Sequence, residues 1–263
     1  MEVGQRPGRS LLSEALLRLG ADDALLAPLR EADEDDGPEA LAASLVAAAD
    51  GEEKRSALAD LAGTVARRLA PEDEPPTQAD AAFAWFVLLC VADGLYGSAV
   101  ANLGRLPFIS DRLLALMAEE ARVQLGSCSD ATARTTAAGG RALNSLAVSR
   151  KLQEAIGSGL GVPVAPGYRA LYAYDPPGSH VATHLDSREY ELIFHMILEH
   201  DPPADGSPDS ALVAHLPGQG TPVHVSLRPG EGVALSGRGT LHSWQRLGAG
   251  ERRTMVEIAW VRA

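Results

Sequence analysis

Apolar positions in the first 160 residues recur at intervals of three and four. The pattern is clearest in SLLSEALLRLG (10–20), EALAASLVAAAD (39–50), KRSALADLAGTVARRLA (54–70) and DAAFAWFVLLCVADGL (80–95). That spacing puts the apolar side chains on one face of a helix. Two polar breaks, EADEDDGPE (31–39) and PEDEPP (71–76), read as exposed loops. A further helix starts near Arg141 and stops at the glycines of GSGLG. No strand pattern is expected before residue 160.

After residue 160 the period changes to two. YRALYAY, YELIFHMIL, ALVAHL, TPVHVSL, GVALSG, TLHSWQRL and RRTMVEIAWV alternate between turns rich in Pro and Gly. Seven or eight short strands at that spacing predict a sandwich or jelly roll. The expected class is α+β: a helical region over 1–140, then a jelly-roll core over 141–263 with its leading helix.

Composition narrows the partners. The net charge is −12, and residues 1–80 carry 18 acidic and 8 basic side chains. This argues against nucleic acid or an anionic membrane as a partner; a solvated acidic surface is the simpler reading. No run of about 18 apolar residues stands out, so no membrane span is expected. The N-terminal leucine pattern contains Glu14 and Arg18, unlike a signal peptide. Cys90 and Cys128 lack zinc-type spacing and suggest reduced thiols in a cytoplasmic protein. Oligomeric state stays open.

The candidate chemistry is in YDPPGSHVATHLDSREYELIFHMILEH (174–200), where His184 and Asp186 stand two apart. In extended chain such residues share a face and can converge on one ion. Two histidines and one carboxylate would leave open positions on octahedral Fe(II). The second histidine must come from elsewhere: His195, His200, His215, His224 or His242. His242, after a glycine-rich turn at the start of a strand, lies where a barrel mouth would be. His200 reads as exposed at a strand end; His215 and His224 read as structural. On the last strand, Arg252 and Thr254 share a face with Val256, Ile258 and Trp260, which predicts that both lie inside; a slip by one residue would put Arg253 there instead. A buried arginine needs an anion, and either a small dicarboxylate or an internal Asp or Glu would supply one.

Tyr174, the PPG turn, HLD (184–186), YELIFHMIL, LRPGEGVALSG, LHSWQ and GERRTMVEIAW resemble, in order and spacing, the Fe(II)/2-oxoglutarate-dependent oxygenase superfamily, in its prolyl-4-hydroxylase-like branch. The resemblance covers roughly residues 160–263. It departs from the family in an extra proline in the first turn and in His195, where relatives often carry Tyr or Thr. It implies a double-stranded β-helix core with His184, Asp186 and His242 holding Fe(II). It implies 2-oxoglutarate chelating that iron, with its far carboxylate on Arg252 assisted by Thr254, and Tyr174 and His195 lining the pocket. O2 would be consumed and succinate and CO2 released as a C–H bond of a small molecule, amino acid or peptide is hydroxylated. Asp186 fits hydroxylation better than halogenation, which needs that ligand position vacant. Two other readings stand beside this one: a cupin-like metalloenzyme that does not use 2-oxoglutarate, and a non-catalytic binding protein with a relic barrel.

Overall fold

The computed structural model describes residues 7–33, 36–69, 78–126, 133–187 and 189–262. The expected loop at 71–76 and Cys128 lie outside them, as does part of the loop at 31–39. Five helices come first: α1 (Pro7–Arg18), α2 (Asp23–Glu31), α3 (Pro38–Ala48), α4 (Glu52–Leu69) and α5 (Ala79–Tyr96). Their starts follow the local chemistry. Asp22 accepts a hydrogen bond from the Leu25 N–H at 2.9 Å and caps α2. Pro38 opens α3, where its missing N–H costs nothing. By length and composition alone α5 is long and apolar enough to cross a bilayer, although Asp80 and Asp93 interrupt its apolar run. Here it packs among Leu12, Leu41, Leu45 and Leu58 in a helical core.

The remaining elements are β1 (Val100–Arg105), α6 (Asp111–Leu125), β2 (Thr135–Ala138), α7 (Arg141–Ala147), α8 (Arg150–Leu160), β3 (Val164–Asp175), β4 (Val181–His184), β5 (Leu192–Asp201), β6 (Leu212–His215), β7 (Val223–Val225), β8 (Glu231–Ser236), β9 (Leu241–Trp244) and β10 (Arg252–Arg262). β1 and β2 correct the expectation that no strand precedes residue 160. They are the two edges of a six-stranded sheet ordered β1-β8-β5-β10-β3-β2. VANLGR and TTAA are short and half exposed, so they carry little hydrophobic alternation. The helical region expected over 1–140 thus contributes two strands to the sheet that follows it.

A second sheet is ordered β4-β9-β6-β7. From β3 onward most consecutive strands alternate between the two sheets. Ile193, Val233, Met255 and Ala259 of the larger sheet share one core with Leu212, Val225 and Trp244 of the smaller. The outer face of the larger sheet is also buried: Tyr172, Phe194, Val256, Ile258 and Trp260 pack against Met117, Leu143 and Ile156 of α6–α8.

This double burial overturns the expected orientation of the last strand. The Val256-Ile258-Trp260 face is apolar because helices cover it, not because it faces the other sheet. The interior face carries Met255 and Ala259, and Arg253 and Glu257 alternate with them. Arg252, expected inside, is exposed, whereas Arg253 is only 3% exposed.

Candidate metal centre

His184 and His242 meet because they are cross-strand partners in the antiparallel β4–β9 pair. Their ring centroids are 4.4 Å apart. Asp186 follows two residues after His184, and its backbone N–H donates to the Gly237 carbonyl at 2.9 Å. Its Oδ1 lies 3.3 Å from His184 Nε2 and its Oδ2 lies 3.5 Å from His242 Nε2. Ligand atoms from the three side chains all fall within 4.8 Å of one another. The sequence-predicted triad is therefore brought together.

The backbone orients both imidazoles. His184 Nδ1 is 2.9 Å from the Ala182 carbonyl, and His242 Nδ1 is 2.8 Å from the Thr240 carbonyl. A carbonyl only accepts, so Nδ1 carries the proton in each ring. In the neutral ring the Nε2 lone pair is then directed at Asp186. Asp186 Oδ2 has no hydrogen-bond partner among the described residues. Burial lowers the His242 pKa to about 4, so this ring is neutral at physiological pH. Burial also opposes a charge on His184, but the hydrogen bond and charge of Asp186 outweigh it and raise that pKa. Burial would raise Asp186, yet the neighbouring His242 and His184 hold its carboxyl below the usual range. Such converging lone pairs call for a cation between them, and the nitrogen and oxygen donors suit a divalent transition metal.

Packing holds the triad in place. A Cβ at Gly237 would lie 2.4 Å from Asp186 Oδ2 and 2.3 Å from the Tyr190 carbonyl, so only glycine lets this carboxylate approach. A Cβ at Gly63 of α4 would lie 3.1 Å from the Leu185 N, so this helix is seated on the residue between two of the ligands. Arg238, fully buried in the turn before His242, stacks 3.9 Å from the Tyr96 ring centroid. It donates to Ser56 Oγ at 2.9 Å and so ties that turn to α4 and α5. The sequence signal for this was a lone arginine between two glycines just upstream of a ligand.

The triad lines a cavity of about 270 Å³ whose wall includes Arg134, His195, Trp244 and Glu257. His195 lines this cavity. It is 3% exposed, and neither ring nitrogen has a hydrogen-bond partner among the described residues. Burial, then the proximity of His242 and Arg134, holds its pKa well below the ordinary histidine value. Its ring stands edge-on to Trp244, with centroids 5.6 Å apart.

Arg252, Thr254 and Tyr174 are not there. They line a separate pocket of about 330 Å³ with Arg122 and Glu199. Thr254 and Tyr174 are register partners in the β10–β3 pair, and both belong to the outward-facing set. Arg253, the alternative the sequence left open, is the interior arginine of the last strand, and its partners Arg134, Asp175 and Glu257 were not named from the sequence. Arg253 pairs with Asp175, its register partner on β3, through Nε at 3.1 Å and Nη2 at 2.9 Å. Its Cζ lies 4.0 Å from the Trp244 ring centroid. Arg134, just before β2, donates from Nη1 to both Asp175 oxygens at 2.7 and 2.9 Å and from Nη2 to Glu257. Burial pushes the Glu257 pKa up despite Arg134. These charged partners come from three separate segments, so no local spacing could reveal them.

His200, expected to be exposed, has a side chain only 8% exposed and bonds to Glu251 at 3.0 Å. His200, Asp209 and Glu251 form a second cluster of possible ligands. There the Glu251 oxygens already accept from Ser210 and from the Gly248 N–H, which makes the cluster a loop latch.

No family model matches the chain, and no curated protein does. Among solved structures it is similar to a prolyl-4-hydroxylase from Pseudomonas putida, at 20% identity over 66% of this chain and 97% of that one, with a TM-score of 0.47. It is also similar to an oxidoreductase of the 2OG-Fe(II) oxygenase family from Burkholderia pseudomallei, at 16% identity over 57% of this chain and 78% of that one, TM-score 0.44. A prolyl hydroxylase from Trichoplax adhaerens, in complex with a peptide fragment of the hypoxia inducible factor oxygen degradation domain, aligns at 14% identity over 63% of this chain and 83% of that one, TM-score 0.42.

Proposed function

We propose that this protein is an Fe(II)- and 2-oxoglutarate-dependent oxygenase of the prolyl-4-hydroxylase-like branch, built on a double-stranded β-helix. It would hydroxylate a C–H bond of a small molecule, amino acid or peptide. The observation that carries this reading is the convergence of His184, Asp186 and His242, with an unpartnered carboxylate oxygen, on the wall of a cavity. Alternation of successive strands between two facing sheets supports the β-helix.

The residues fit the metal. Two imidazole nitrogens and one carboxylate would occupy three positions of Fe(II) and leave others open. When bound, iron with 2-oxoglutarate supplies oxidative decarboxylation coupled to O2, and the protein's share is placement and exclusion of water. Ala182 and Thr240 carbonyls hold the imidazoles in the ligating tautomer. Trp244 and His195 wall the cavity, and α4 closes over Leu185. The half-buried guanidinium of Arg134 offers the cavity a place for an acid.

One observation favours a second reading, a metalloenzyme that uses no 2-oxoglutarate. Arg134 and Arg253 already have carboxylate partners in Asp175 and Glu257. Succinate release from labelled 2-oxoglutarate, with a panel of amino acids and peptides as stimulants, separates the two. We expect release that requires Fe(II) and is lost in His242→Ala. Iron binding without any turnover or binding of 2-oxoglutarate would select the second reading.

A further inference from the structure

A second cavity, of about 260 Å³, lies between α5 and the turn that joins β6 to β7. Trp85, Phe86 and Leu89 of α5 line one side, and His215, Leu216 and Pro222 line the other. Ala82, Gln219 and Thr221 form an exposed rim. Strand β6 separates this cavity from the metal centre. Ala214 is the register partner of His242, whereas the next residue, His215, points to the opposite face of the sheet, where its own partner Leu241 joins the helical core.

Trp85 and His215 are 2% and 4% exposed, and their ring centroids stand 4.7 Å apart. Trp85 Nε1 and His215 Nε2 are both buried without a hydrogen-bond partner among the described residues. Outside the metal cavity Arg9, Arg238 and Trp260 also carry such nitrogens, but only Trp85 and His215 meet in ring contact on the wall of one cavity. A buried polar group of this kind costs free energy until a partner reaches it. The indole N–H only donates, and an imidazole nitrogen donates or accepts according to its tautomer. A hydroxyl can answer both in either tautomer; a carbonyl or an ether cannot donate.

The wall also selects by charge and size. Burial, then the proximity of His224 and His242, lowers the His215 pKa to about 4, so the ring is neutral at physiological pH. No carboxylate, lysine or arginine is among the described residues of the wall, so a charged ligand would meet no counter-charge. A cavity of about 150 Å³ accepts a benzene ring, so this one has room for a ring and its substituents.

We infer that this cavity is a second ligand site, taking a small uncharged molecule made of an apolar ring and a hydroxyl, with the hydroxyl on Trp85 Nε1 and His215 Nε2 and the ring against Phe86, Leu89 and Pro222. The site is independent of the metal chemistry, so its failure would leave the oxygenase reading in place.

The experiment titrates isotopically labelled full-length protein with phenol, toluene and 4-hydroxybenzoate, following the indole N–H signals of the three tryptophans by NMR. The Trp85 signal is identified by its loss in Trp85→Phe. Phenol should shift that signal saturably and leave those of Trp244 and Trp260 in place. Toluene, alike in shape but without the hydroxyl, should bind roughly 5- to 150-fold more weakly, the range for two net hydrogen bonds. 4-Hydroxybenzoate, which adds a charge, should bind more weakly than phenol. His215→Phe keeps a ring against Trp85 and should reduce the preference for phenol over toluene by about 2- to 13-fold, the share of one hydrogen bond. Should that variant misfold, Ala82→Phe narrows the exposed rim and should weaken phenol and toluene alike. An unmoved Trp85 signal, equal affinity for phenol and toluene, tighter binding of 4-hydroxybenzoate than of phenol, an unchanged preference in folded His215→Phe, or unchanged phenol affinity in Ala82→Phe overturns the inference.

Discussion

On the four-stranded sheet and the loop that follows β4, His184, Asp186 and His242 turn their ligand atoms toward a common point. On the six-stranded sheet and the segment leading into it, Arg134 and Arg253 face Asp175 and Glu257, charge for charge. Both groups are buried or half-buried, and each joins side chains from separate segments of the chain. The first gathers donor atoms that a metal ion could bridge. The second is complete, so a ligand can enter only by exchange. Burial alone therefore does not mark a binding site; what distinguishes the two regions is whether the buried groups already satisfy one another.

Substitutions in the two regions should differ in kind. The largest effect on the metal-free fold is expected from Asp175→Asn. It leaves Arg253, and in part Arg134, without a counter-charge, and breaking a buried pair this way costs about 3–5 kcal/mol. Urea unfolding would measure it, and a loss below about 1 kcal/mol would mean that the network is not as closed as its geometry indicates. Gly237→Ala acts on the other region. Its Cβ would fall 2.4 Å from Asp186 Oδ2, so iron affinity should drop about 10- to 100-fold, as for loss of a group that orients a ligand. Isothermal titration under anaerobic conditions would read it, and unchanged affinity would show that the carboxylate has room elsewhere.

The smallest effect is a pH slope. Burial lowers the pKa of His215 to about 4, as it does for His242, and the unfolded values lie near 6.5. Between those values the unfolded chain binds protons that the native chain does not, so stability falls as pH drops through this window and levels off below it. The lowered carboxyls of Glu251 and Glu120 continue the loss below the usual carboxylate range. His184 runs the other way: its raised pKa gives stability that is full below its unfolded value and is lost as pH rises through its folded value. The thermal midpoint of metal-free protein should therefore decline from pH 6.5 toward 4, and His215→Phe should flatten the decline. A steeper slope in that variant would contradict the assignment.

The His184–Asp186 pair was legible in the sequence because its geometry is local, whereas His242 was one of five candidate histidines and was singled out by its place at the start of a late strand and by the family resemblance. Two residues apart in extended chain means one face, and a histidine opening a late strand is placed by the strand order. The helices of the first half were legible from their period. The orientation of β10 was not, because hydrophobic alternation reveals the interior only when the other face meets water; here α6–α8 bury Val256, Ile258 and Trp260. β1 and β2 were hidden by being short edges. Arg134 was hidden because its neighbours Asp175 and Glu257 lie 41 and 123 residues away.

The most direct measurement is equilibrium dialysis of the protein against Fe(II) without oxygen, alongside His242→Ala. One tightly held ferrous ion per chain in the wild type, and none in the variant, is the expected result. Equal iron binding by the two proteins, or none by the wild type, would contradict the metal centre described above.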